Sequence, residues 1–124
     1  MHDKIKAIAE YDGWEKREHQ PTRGRIIFDN SISSQWLDTL EHSYLTDLNT
    51  IHPVAMRVLD ELETEFIKTN KYDAVMVILP AQIVIKQACH TKPNESGQYI
   101  ALVDAVYNGI LLLNELKEKC SPHK

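Results

Sequence analysis

The stretch "YDAVMVILPAQIVIKQA" (Tyr72 to Ala88) decides how much sheet and how much helix the chain contains. Val75, Val77, Ile78, Ile83, Val84 and Ile85 are residues that favour strands. Pro80 stands in the middle and interrupts a continuous helix, because it lacks a backbone donor and its ring meets the preceding turn. Composition predicts two strands, about 74–79 and 82–88, turning near Pro80 and Ala81. A helix kinked at Pro80 is the competing reading, since a short apolar run carries no decisive period.

On the N-terminal side of this stretch the period is plain. Ile51, Val54, Ala55, Val58, Leu59, Leu62 and Phe66 recur at helical spacing and form one buried stripe. Asn49 or Thr50 offers an N-cap, and Pro53 is placed in the first turn, where a missing N–H costs nothing. Asp60, Glu61, Glu63 and Glu65 gather in the second half, which the helix dipole disfavours, so the buried face must hold this helix. Their spacing reads as a solvated acidic face. Asp47, just before the helix, reads as a cap; the alternative is a pocket shared with Tyr44 and Asn49.

On the C-terminal side, "HTKPNESG" (His90 to Gly97) is a turn-rich loop, followed by a helix from about Gln98 to Lys119. Ile100, Val103, Tyr107, Ile110, Leu111 and Asn114 mark one of its faces. Between Tyr99 and Leu113 the strongly polar positions are Asp104 and Asn108, and Leu112 continues their stripe. A helix this apolar is covered on more than one side. Either it lies centrally within the monomer, or the sheet covers one side and a second subunit another. Asp104 and Asn108 are then a solvent-facing stripe or a register device across a symmetric contact.

The opening "IAEYDGWE" (Ile8 to Glu15) ends a short helix, about Asp3 to Asp12, with Ile5, Ile8 and Ala9 on one face. Gly13 suits the left-handed residue that closes a helix, and Trp14 is then free to cover an edge of the core. "EKREHQPTRG" reads as a loop or loose hairpin and "RIIFD" (Arg25 to Asp29) as a short strand. Ser33 or Ser34 offers a cap for a brief helix through Trp36, Leu37 and Leu40.

The chain has 124 residues, of which 43% are apolar and 26% charged, fitting one globular domain over 1–124 with a core of its own. Its formal charge is −4, and from Ser34 to Phe66 seven acids face the single Arg57. That surface would repel a phosphate backbone, so direct nucleic-acid binding is disfavoured. The longest apolar run, Ala74 to Leu79, is far short of a membrane span. The charged N-terminus does not read as a signal peptide, and Cys89 and Cys120 read as free thiols of a cytoplasmic protein.

No motif points to catalysis or a cofactor. The glycines at 13, 24, 97 and 109 form no phosphate-binding loop, and no nucleophile elbow is present. Cys89 and His90 are adjacent, while His2, His19, His42, His52 and His123 show none of the spacings of local zinc ligands. A composite site of Cys89, His90 and His52 is the remaining metal or nucleophile candidate. Cys89 and His90 would point to opposite faces of a strand and make a poor pair. A half-buried Cys89 at a strand end, beside a surface His90, is the simpler state.

Three segments, "IAEYDGW", "YLTDLNTIHPVAMRVLDELE" and "ALVDAVYNGILLLNE", resemble in order the phage ABA-sandwich family of small phage and prophage proteins. The resemblance spans about Ile8 to Glu115. It departs where the family carries a tryptophan near the position of Leu45 to Leu48; here the nearest indole is Trp36. It implies a three-layer α/β/α sandwich with a small, mostly antiparallel sheet, and a phage or prophage origin. It brings no catalytic, cofactor or metal residues. The resulting expectation is a module that binds another protein or itself, through Asp104, Asn108 and Leu112. The alternative is a small-ligand or metal-binding protein, or an enzyme, with a composite site.

Overall fold

The computed structural model describes residues 1–19, 21 and 24–119; Cys120 and His123 lie outside them. It contains five helices and a small three-stranded sheet in the order α1 (His2–Tyr11), β1 (Glu15–His19), β2 (Arg25–Asp29), β3 (Ser34–Trp36), α2 (Leu37–Thr46), α3 (Leu48–Lys68), α4 (Tyr72–Cys89) and α5 (Ile100–Lys119). The chain is a mixed α/β protein in which helix predominates.

The turn after α1 forms as its sequence dictates. Gly13 takes φ +97°. Its N–H donates to the Glu10 carbonyl at 3.2 Å, and that of Trp14 to Ala9 at 2.9 Å, the paired bonds of a Schellman closure. Trp14 then packs half-buried against the core.

Strands β1, β2 and β3 pair antiparallel in that order, with Lys16 opposite Phe28 and Phe28 opposite Gln35. Phe28 therefore faces the core, where α1 and α2 cover the sheet. Ile27 shares the other face with Arg17 and Trp36. There the Arg25 guanidinium lies over the Trp36 ring, 4.1 Å from its centroid. Of the two readings of this segment, loop or loose hairpin, the hairpin forms, with β1 as its first arm paired to β2. The side chains of β1 are nearly all exposed, so pairing with β2 rather than burial orders it.

Two expected helix starts and the place of one proline are corrected. Neither Ser33 nor Ser34 caps α2: Asn30 Oδ1 accepts from the Ile32 and Ser33 N–H groups to make the β2–β3 turn, and Ser34 enters β3. Helix α3 begins two or three residues earlier than a cap at Asn49 or Thr50 would place it. Asp47 caps it, accepting from the Asn49 N–H and the Thr50 hydroxyl, each at 3.0 Å. Pro53 consequently falls in the second turn, where it leaves the Asn49 carbonyl without its helical donor; both residues are exposed, so water can serve that oxygen.

The largest correction concerns 72–89. The residues read as two strands, 74–79 and 82–88, form the single helix α4, with Pro80 inside it. Ile78, Gln82, Ile85 and Ala88 are its buried positions, at three- and four-residue spacing. Met76, whose carbonyl loses its donor to Pro80, is itself exposed, so the break faces outward. Cys89 accordingly ends a helix, not a strand.

Helix α5 lies centrally in the monomer. It packs against α1, α3 and α4 and touches α2, burying Leu102, Val103, Val106, Ile110, Leu113 and Leu116. Gly109 sits where α5 meets Val58 of α3 and Ile85 of α4. The apolar stripes of α1, α2 and α3 close on this helix and form one continuous core.

Candidate functional site

Two features stand apart from this core: a chain of polar contacts along α1, α3 and α5, and an uncovered face of α4. The polar contacts join distant segments. Asp12, just past α1, accepts from the Tyr44 hydroxyl at 2.7 Å and stands 3.2 Å from Arg57. The Tyr11 hydroxyl donates to Glu61, which also pairs with Lys117 at 3.1 Å. Gln82, buried on α4, donates to Glu63 at 3.2 Å. Glu61 and Glu63 are thus tied to α1, α4 and α5, which revises their reading as a purely solvated acidic face. Nothing in the sequence announced these pairs, because their members stand 19 to 56 residues apart.

Tyr44 is fully buried, and burial together with the Asp12 carboxylate pushes its hydroxyl far above the ordinary phenol range. A group whose folded pKa is raised contributes stability in full below its unfolded value, and that contribution is lost as pH rises through the interval between the two. Stability should therefore begin to fall above about pH 10, the phenol value of the unfolded chain, by about 1.4 kcal/mol per pH unit from this residue. Tyr44→Phe should remove that part of the slope. Urea melts of both proteins at successive alkaline pH values measure the difference; equal slopes would count against a buried neutral Tyr44.

The sequence candidates for chemistry do not converge. Cys89 is half-buried at the end of α4, and burial raises its thiol pKa, favouring the poorly nucleophilic protonated form. His90 is exposed and His52 lies on α3. Among the described residues, no group of three His, Cys, Asp or Glu side chains is close enough to hold a metal ion. On α5, Asp104 is engaged within the chain, accepting from Lys4 of α1 at 2.7 Å. Asn108 is exposed, and Leu112 packs partly buried against the core.

The face of α4 is a larger feature. Tyr72, Met76, Val77, Leu79, Ile83 and Val84 are between 40% and 74% exposed. On a helix, Tyr72, Met76, Leu79 and Ile83, spaced by four, three and four residues, form one row opposite the buried Ile78 and Ile85, with Pro80 at its edge and Val77 and Val84 further round, towards the buried Ala88. By length and composition alone α4 is apolar enough to cross a membrane, although no single run in the sequence suggested this. Its buried side, however, is committed to α3 and α5. Next to its N-terminal half an open groove of about 1050 Å³ runs between the ends of α3, α4 and α5. Tyr72, Val77 and Leu112 line it, with Glu65, Lys71 and Lys117 among its charged residues.

Fold and surface together define a small mixed α/β domain with an apolar helix face left uncovered. Comparison with protein-family models, with curated proteins and with solved structures found no match.

Proposed function

We propose that this protein is a small docking module of phage or prophage origin that acts by binding protein, with α4 as its contact surface. The carrying observation is the row Tyr72, Met76, Leu79 and Ile83, held in water by a helix whose other side is packed. Contiguous apolar surface of this kind marks sites of association. The stripe of Asp104, Asn108 and Leu112 offers less, since Lys4 engages the first and the core takes much of the last. Helices on both sheet faces, the finer arrangement the resemblance implies, belong to the same proposal. Helices α1 and α2 supply one layer, and Ile27 with Trp36 marks the face a further layer would take. A cytoplasmic setting is part of it too, supported by the free thiol of Cys89.

The test is a photo-reactive amino acid placed at Ile83, or at Asn114 as a control, in cells producing the protein. Discrete polypeptide adducts at position 83, absent at 114, are the expected result. No adduct at 83, or the same adducts at both positions, would overturn the docking role.

A further inference from the structure

We draw no further inference here: the strongest candidate, the exposed apolar row of α4 together with the open groove beside it between the ends of α3, α4 and α5, belongs to the docking surface already described, and nothing in the structure shows what covers it.

Discussion

Ile85→Lys is expected to unfold the domain, whereas Ile83→Lys, two positions away, leaves the fold in place. Ile85 is 1% exposed, and its terminal carbon lies against the Gly109 position on α5. A lysine there loses the apolar burial of the isoleucine, worth about 2–3 kcal/mol. It also places an ammonium in a buried junction beside Val58 and Leu62. Together these should cost at least about 4 kcal/mol, close to the whole stability of a domain at the lower end of the usual range of about 5–15 kcal/mol. Ile83 is 54% exposed on the opposite side of α4, so a lysine meets water there. Urea melts at high dilution compare the two. The pair also discriminates secondary structure: in a strand, residues 83 and 85 share a face and would respond alike. Equal responses would reject the helix and with it the uncovered face.

The reason this segment misleads in sequence is physical. Amphipathic period is legible only when one side of a helix is polar, as on α3, where Ile51 to Leu62 alternate with exposed Pro53, Met56, Arg57 and Asp60. On α4 both sides are apolar, one for the core and one left outside, and the period disappears. Strand-favouring Val and Ile then outweigh it, and Pro80 looks like a break because its exposure cannot be seen. Tertiary packing of Ile78, Gln82, Ile85 and Ala88 overrides those local preferences. Elsewhere local chemistry sufficed. Gly13 and Trp14 close α1 through backbone bonds within six residues, and Asp47 caps α3 through bonds to its near neighbours. Strand β1 was legible only as one arm of a loose hairpin, with a loop as the alternative, because "EKREH" has no buried side chain pattern and is ordered by pairing with β2.

The same contrast governs the candidate site. Cys89, His90 and His52 draw notice because of their residue types, yet they sit at a helix end, beyond it and on another helix. The uncovered face of α4 consists of residues with no distinctive chemistry, and it stands out only because none of the described residues covers them. Central placement of α5 links the two results. Because α1, α3 and α4 all close on α5, it has the cover its composition demands without a second subunit. The surplus apolar surface is therefore displaced to the outer side of α4.

That closure depends on Gly109, and Gly109→Leu is expected to destabilise the domain strongly. A Cβ at this position would stand 2.7 Å from Val58 Cγ1 and 2.9 Å from Ile85 Cδ1, both closer than carbon atoms pack. Ile85 Cδ1 is the free end of a flexible side chain and can turn aside. Val58 is β-branched and held in one rotamer on a helix, so it yields only if α3 moves. For Gly109→Ala the opposing effects nearly cancel: helix propensity favours alanine by about 1 kcal/mol, and the contact with Val58 takes back about that much. Leucine adds three further carbons to a junction already closed and forces α3 and α4 apart. The loss should reach about 3 kcal/mol, the upper end for overpacking a core. Combining Gly109→Leu with Val58→Ala restores space at the nearer contact and should recover part of the stability, more than the sum of the separate changes predicts. A double-mutant cycle from urea melts reads that coupling. Simple additivity would mean that α5 does not meet α3 at Gly109, and the central position of the helix would have to be given up.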